Sequence, residues 1–262
     1  MADFNILPFR GALAAIVTQA GDIVRENNKK PRTIKHKGRI DLVTETDLAV
    51  ELFLKEKLSE LLPQADFLAE ETSKETLPGE LTWIIDPLDG TTNFAHSLPF
   101  VAISVALWHR DRVVAGVVDL PLLGEQFVAI RDHGATLNDS PIAVSSATQL
   151  DQSILATGFP YDTEIYLENI LKYLKRFLRL TQGVRRPGAA ALDLAYVACG
   201  RYDGFYEYAL NAWDTAAGLL LVEEAGGRVT RFDQAVPYHL GDVDILATNG
   251  HIHSLASAEL IR

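Results

Sequence analysis

Apolar positions recur along this chain with two different periods, and the change between them divides it. Near the start, Leu13, Ile16, Val17, Ala20, Ile23 and Val24 fall at helical spacing, so residues 4–28 are expected to form an amphipathic helix. The same spacing argues against reading the apolar Ala-Leu-Ala-Ala-Ile-Val segment as a secretion signal. A second helix is expected at Thr44-Glu45-Thr46-Asp47, a capping-box variant, with Val50, Leu54, Leu58 and Leu61 as its stripe and Pro63 as its stop. A short strand then delivers Ala69-Glu70-Glu71. From Trp83 to Ser145 the period shortens to that of strands: Phe100–Trp108 and Arg112–Asp119, joined through His109-Arg110-Asp111, then Glu125–Arg131 before Asp132-His133-Gly134. Clustered strands predict an antiparallel sheet covered by the two early helices.

The second half alternates instead. Ile154–Thr157 reads as a strand, and Glu164–Leu180 as a helix with Leu167, Leu171, Leu174 and Leu178 on one face. Gly188–Cys199 reads as an alanine-rich helix closed by Gly200, and Tyr202–Tyr208 as an aromatic strand. Asn211–Ala225 is a further helix, followed by Gly226-Gly227 and strands at Arg228–Phe232 and Ile245–Thr248. This alternation favours a mixed or parallel sheet with helices on its faces. The chain therefore reads as one unit of two halves, residues 1–146 and 147–262, with a site between them.

Composition narrows the function classes. Apolar residues make up 48% of the 262, enough for a sizeable interior. The formal charge of −11 makes a nucleic-acid partner bound through phosphates unexpected, since that mode needs clustered Lys and Arg. The basic stretch with Lys29, Lys30, Arg32, Lys35, Lys37 and Arg39 is read as solvated loop charge ahead of a phosphate-steering role. The single Cys199 excludes an internal disulfide and any cysteine-based zinc site, and is expected to be a small buried hydrophobe. The longest apolar run, Leu98 to Trp108, is too short to span a membrane, so a cytoplasmic protein is expected.

The chemistry is concentrated in one string. An apolar strand (Leu81, Trp83, Ile84, Ile85) runs directly into Asp86-Pro87-Leu88-Asp89-Gly90-Thr91-Thr92-Asn93. Carboxylates at a strand end attract hard cations, which prefer oxygen ligands. Pro87 fixes the backbone between them and offers the Leu88 carbonyl as a further donor. Gly90 and Thr91 then supply N–H groups at an expected helix start, where anions bind. Metal on one side and phosphate on the other describe a metal-assisted phosphatase. Ordinary Asp-Pro and Asp-Gly turns are the plainer reading of the parts, but not of the whole string. Phosphatases that form an aspartyl-phosphate use an Asp-x-Asp motif; two residues separate the acids here, which favours activated water. Asp214 opens the late helix in Trp213-Asp214-Thr215-Ala216-Ala217-Gly218, where a lone Asp is ordinarily a cap. Yet Glu70, Asp86, Asp89 and Asp214 all sit at element ends, and together they suffice for two cations.

These motifs resemble those of the inositol monophosphatase family. The match comprises Glu70-Glu71, the Asp86–Asn93 string and Trp213–Gly218, flanked by Asp41-Leu42-Val43-Thr44-Glu45-Thr46-Asp47 and Ala247-Thr248-Asn249-Gly250. The resemblance covers almost the whole chain, in order and spacing. It implies a mixed α/β (α+β) fold layered as an αβαβα sandwich, like that of fructose bisphosphatase, and a homodimer. It implies that Glu70, Asp86 and the Leu88 carbonyl hold one Mg²⁺, that Asp86, Asp89 and Asp214 hold a second, and that Glu70 and water hold a weaker third. Lithium sensitivity is implied with them. Thr91, linked to Asp47, resembles the pair that orients and deprotonates the attacking water; without the resemblance Asp47 reads as a helix cap. On the substrate side, the family places Asp89 and Asp214 beside the ester. Gly90 and Thr91 donate N–H groups to phosphate, and backbone groups at Gly188, Ala189 and Ala190 meet inositol hydroxyls. Glu207 resembles the acid that hydrogen-bonds the ring; Arg185 and Arg186 are alternatively assigned to a dimer interface. The expected activity is Mg²⁺-dependent hydrolysis of inositol 1-phosphate, a small phosphate monoester. The same chemistry on histidinol phosphate, a nucleotide 3′-phosphate or fructose 1,6-bisphosphate is the alternative among enzymes. A binding or regulatory protein retaining the fold is the alternative outside them.

Overall fold

Helix formation begins after a single 3₁₀ turn at Leu7–Phe9, where Pro8 occupies a position that needs no N–H donor. In the computed structural model, which describes residues 6–30, 34–36, 42–74, 77–160 and 163–262, helix α1 spans Arg10–Asn27. A two-stranded ribbon of β1 (Ile34–His36) and β2 (Leu42–Thr44) precedes α2 (Glu45–Leu61). The capping box is formed as the sequence predicts. The Thr44 side chain accepts from the Thr46 N–H at 3.1 Å, and Asp47 Oδ2 accepts from the Thr44 N–H at 2.9 Å. Arg32, Lys37 and Arg39 of the basic stretch, and Asp41, lie outside the described residues; Lys29 and Lys30 are exposed.

The first sheet contains β3 (Asp66–Ala69), β4 (Leu81–Asp89), then, beyond the short α3 (Thr91–Ala95), β5 (Ala102–His109), β6 (Arg112–Leu120), β7 (Glu125–Ile130), β8 (Ala135–Leu137) and β9 (Ser140–Pro141). Strands β4 to β9 form an antiparallel meander, and β3 joins β4 in parallel. The second sheet is mixed. Its strands are β10 (Ile154–Thr157), β11 (Gly183–Arg185), β12 (Gly204–Tyr208), β13 (Arg228–Thr230) and β14 (Asp244–Thr248), in the order β11-β10-β12-β14-β13. Its helices are α4 (Thr163–Leu180), α5 (Ala190–Ala198), α6 (Ala212–Glu224) and α7 (His253–Ile261).

Five layers result. α1 and α2 cover the outer face of the first sheet, α5 and α6 fill the space between the sheets, and α4 and α7 cover the second sheet. Three cores join the layers: Leu13, Leu54 and Trp83 under the first helices, Phe127, Leu194 and Phe205 on both sides of α5 and α6, Phe177 and Leu246 under the last helices. The middle core lets α5 and α6 pack tightly, because Gly218 leaves no Cβ to strike Leu194. No helix among the described residues is long and apolar enough to cross a membrane.

Three expectations need correction. The leucine stripe of α4 does not face the core: Leu171 and Leu178 are 52% and 62% exposed. Ile170, Tyr173 and Phe177 are buried instead, because the second sheet offers an aromatic surface. Tyr173 packs edge-on against Tyr206 and Phe232, with centroids 6.4 and 5.7 Å away. The alanine-rich helix starts at Ala190, two residues late, since Gly188 is left-handed at φ +90°. Cys199 is half-buried rather than buried, with its thiol directed at the Tyr196 carbonyl. Strand β11 and helix α7 had no sequence signal of their own: β11 has three residues, and α7 begins without a capping side chain.

Candidate active site

Strand β4 carries its regular pairing with β5 only as far as Asp86, which lies opposite Ser104. Pairing resumes at Asp89, opposite Ala102, so three steps on β4 match two on β5. Pro87 has no N–H to give the ladder, and the extra residue forms a bulge around it. In a regular strand, residues three apart point to opposite faces. The bulge cancels that offset, and both Asp86 and Asp89 line one cavity of about 380 Å³. Leu88 lines it too, its N–H donating to Asp86 Oδ1 at 3.0 Å. Gly90 turns the chain with φ +88°; a Cβ there would lie 2.7 Å from the Phe100 carbonyl. α3 starts directly after it.

The remaining walls arrive from distant parts of the chain. Glu70 follows the end of β3, Asp214 lies in the first turn of α6, and Glu207 is on β12; all three line the cavity, as do Thr91, Gly188, Ala189 and Ala190. Asp89 Oδ2 accepts from the Ala191 N–H at 2.7 Å, tying the strand end to the start of α5. Asn93 donates to the carbonyls of Phe100 and Pro187 at 2.7 and 2.9 Å, which ties the Arg186–Ala190 loop to α3. Asp214 does serve as a cap: its Oδ2 accepts from the Asn211 N–H at 2.7 Å, and its side chain still faces the cavity. Asp47 is the one expected site residue that does not line the cavity; it lies fully buried behind Thr91. The Thr91 hydroxyl reaches Asp47 Oδ1 at 2.9 Å and the Leu88 carbonyl at 3.0 Å. Cap and Thr91 partner are thus one residue, with one carboxylate oxygen for each task.

Electrostatics follow from the crowding of acids. Burial, then the negative charge of Glu70, Asp89 and Asp214, pushes the Asp86 carboxyl well above the usual carboxylate range. Burial and Asp214 do the same to Asp89, against the Ala191 N–H that favours its charged form. Burial pushes Asp214 up to about 6 and raises Asp47, whose hydrogen bonds from Thr44 oppose the shift. A cleft in which Glu70, Asp89 and Asp214 raise the proton affinity of Asp86 is one whose charge a cation relieves. Among the described residues no three acidic, His or Cys side chains close around a single point. Hard divalent cations such as Mg²⁺ take oxygen ligands. The donor set of Glu70, Asp86, Asp89, Asp214 and the Leu88 carbonyl is entirely hard oxygen, as such an ion requires.

Among the lining residues, Asp193 and Phe159 had no role assigned from the sequence, and Arg186 had only one at a dimer interface. Arg186 is exposed and stacks over the Phe159 ring at 5.1 Å, forming the cavity rim; Arg185 is exposed as well. Asp193 sits in the first turn of α5, and its signal was an acid at a buried position of an alanine-rich helix.

The family profile described as "Inositol monophosphatase family" matches residues 7–262. An inositol-1-monophosphatase of Synechocystis is 46% identical over 233 residues, covering 88% of this chain and 81% of that protein. The Nus factor SuhB of Escherichia coli is 41% identical over 225 residues, covering 85% and 84%. The solved structure of an inositol monophosphatase from Anabaena superposes with a TM-score of 0.88 at 38% identity, covering 98% of this chain and 97% of that one. A shared five-layer fold, an intact set of acidic motifs and this identity across nearly the full length lead to one conclusion: the chain belongs to the inositol monophosphatase family and is a phosphatase.

Proposed function

We propose that this protein hydrolyses inositol 1-phosphate to inositol and phosphate in a Mg²⁺-dependent reaction. The observation that carries this reading is the bulge at Pro87, which puts Asp86, Asp89 and the Leu88 residue in one cavity with Glu70 and Asp214. Glu70, Asp86 and the Leu88 carbonyl would hold one ion, and Asp86, Asp89 and Asp214 a second, with Glu70 and water available to a third. Bound ions of this kind neutralise phosphoryl oxygens and acidify water.

The chain's own residues supply the rest. Asp47 accepts the Thr91 proton, which turns the Thr91 lone pairs toward the cavity to take a proton from the attacking water. Backbone N–H groups of Gly90 and Thr91 hold the phosphate against attack from the Thr91 side. Gly188, Ala189 and Ala190 present backbone to the alcohol, positioned by Asn93, and Glu207 accepts hydrogen bonds from its hydroxyls. Asp214 stands beside the ester, placed to help protonate the leaving oxygen. An acid at Glu207 suits a neutral polyol and repels a second phosphate, which disfavours fructose bisphosphate and nucleotide substrates. Homodimerisation accompanies this reading as an expectation from the family resemblance, and a cytoplasmic location as one from the length of the apolar runs.

The likeness to SuhB favours one additional role, regulatory and protein-mediated; the charge of −11 speaks against binding nucleic acid through phosphates. The full carboxylate set supports an active enzyme in either case. The test is phosphate release from inositol 1-phosphate, histidinol phosphate, a nucleotide 3′-phosphate and fructose 1,6-bisphosphate, with Mg²⁺ or with chelator. Preference for inositol 1-phosphate in Mg²⁺ alone is expected; turnover undiminished in chelator, or preference for another ester, overturns the assignment.

A further inference from the structure

Asp193 is 1% exposed, yet neither of its carboxylate oxygens has a hydrogen-bond partner, although the site acids Asp47, Asp89 and Asp214 all have theirs. A buried polar group without a partner destabilises a fold by about 1–3 kcal/mol, and more when charged, so its place is not explained by stability. Nor does it cap its helix, for it accepts from no backbone N–H. It lines the cavity instead, next to Glu207, whose charge is the largest electrostatic influence on it. The cation acting on both is Arg186, which is exposed and engaged with Phe159.

The local build keeps the two acids together. Glu207 sits against Gly158, where a Cβ would fall 2.1 Å from its Oε2; only glycine leaves room for the carboxylate. Asp193 projects from α5, which packs on β12, the strand that carries Glu207. Two buried acids from adjoining elements thus face the cavity at the end bounded by the Arg186–Ala190 loop.

We propose that Asp193 and Glu207 form a paired acidic subsite that reads two separate hydroxyls of the alcohol, and that Asp193 is a specificity-determining residue. The inference rests on the polyol-phosphate reading above and deepens it: the substrate must offer two donor groups on the same edge of the ring. One hydroxyl satisfies Glu207 alone; the unpartnered oxygens of Asp193 call for another.

The experiment compares kcat/KM for inositol 1-phosphate and for p-nitrophenyl phosphate, which lacks hydroxyls, in the wild-type enzyme and in Asp193→Ala and Asp193→Asn. The ratio of the two is expected to fall about ten- to a hundred-fold in Asp193→Ala, chiefly through KM, and less in Asp193→Asn, whose amide still bonds a hydroxyl. Melting temperature should not fall, because the residue has no internal partner to lose. A ratio unchanged in Asp193→Ala, or a melting temperature that drops with equal loss on both substrates, overturns the proposal in favour of a structural role. A second measurement needs no variant: singly deoxygenated inositol 1-phosphates on the wild type should show two hydroxyls whose removal lowers kcat/KM. A single sensitive hydroxyl overturns the paired subsite. If the wild type itself does not prefer inositol 1-phosphate to the aryl ester, the polyol reading fails, and that outcome is distinct from either of these.

Discussion

Replacing Asp86 by Asn separates the two things its carboxylate does. The substitution is isosteric, and the amide oxygen still accepts the Leu88 N–H that meets Asp86 Oδ1 at 3.0 Å, so the bulge is kept. What changes is charge. Asp86 is 1% exposed and faces the negative charge of Glu70, Asp89 and Asp214, so without cations it destabilises the fold. Relief of a functional-site strain of this kind is typically worth about 0.5–2 kcal/mol, and in a chain of this size each kcal/mol moves Tm by about 2–4 °C. Asp86→Asn should therefore melt above wild type in chelator, by about 1–8 °C. Mg²⁺ at a hundred times its Kd stabilises a one-site protein by about 2.7 kcal/mol. Wild type should show that rise on adding Mg²⁺, and the variant should lose most of it, because the carboxylate would serve both proposed ion sites. Turnover should fall by orders of magnitude in the same samples. The assay is a thermal melt in chelator and in a Mg²⁺ series, paired with phosphate release. A variant that gains as much from Mg²⁺ as wild type, or that keeps substantial turnover, refutes the placement of Asp86 at the ions.

Two further outcomes follow from the geometry. Glu207→Gln should lower kcat/KM for inositol 1-phosphate by about ten- to a hundred-fold relative to a small aryl phosphate, the loss expected for one charge-assisted hydrogen bond; equal losses on both would remove Glu207 from the alcohol subsite. Far from the site, Asp119 is 5% exposed, with one oxygen unpartnered and its carboxyl pushed up to about 7 by burial. The folded state then binds the extra proton between about pH 4 and 7, so this stability is complete below the unfolded value and lost as pH rises through 7. The loss is about 2–4 kcal/mol. Asp119→Asn should gain on wild type in melts from pH 5 to pH 8, and parallel curves would show that Asp119 does not titrate there.

Much of this fold was legible because its signals are local. The Thr44 capping box, the Pro63 stop, the hairpin at Arg110 and the strand at Ile154–Thr157 each depend on a few adjacent residues. The four acids were legible as a set because each falls where a regular element starts or stops. The α4 stripe was misread for a reason that no local signal resolves. Two apolar stripes share that helix, and the choice between them belongs to the aromatic face of a sheet whose strands lie up to about 70 residues downstream. Asp193 was passed over for a similar reason: an acid in an alanine-rich helix reads as its polar face until packing on both sides buries it. The bulge at Pro87 was half visible. Proline between two acids marked a break in the ladder, but the count of residues on the facing strand, which turns both carboxylates to one side, is set by pairing with β5.

The central claim is that water attacks the phosphate directly in this cavity, with no phosphorylated aspartate between substrate and product. Stereochemistry at phosphorus tests it without relying on trapping. A single in-line displacement inverts configuration, and two successive displacements retain it. Hydrolysis of inositol 1-phosphorothioate made chiral at phosphorus with two oxygen isotopes, in water carrying the third and with saturating Mg²⁺, should release thiophosphate of inverted configuration. Retention would require an enzyme-bound phosphoryl group at Asp86 or Asp89, and would contradict the roles given to Thr91 and Asp47.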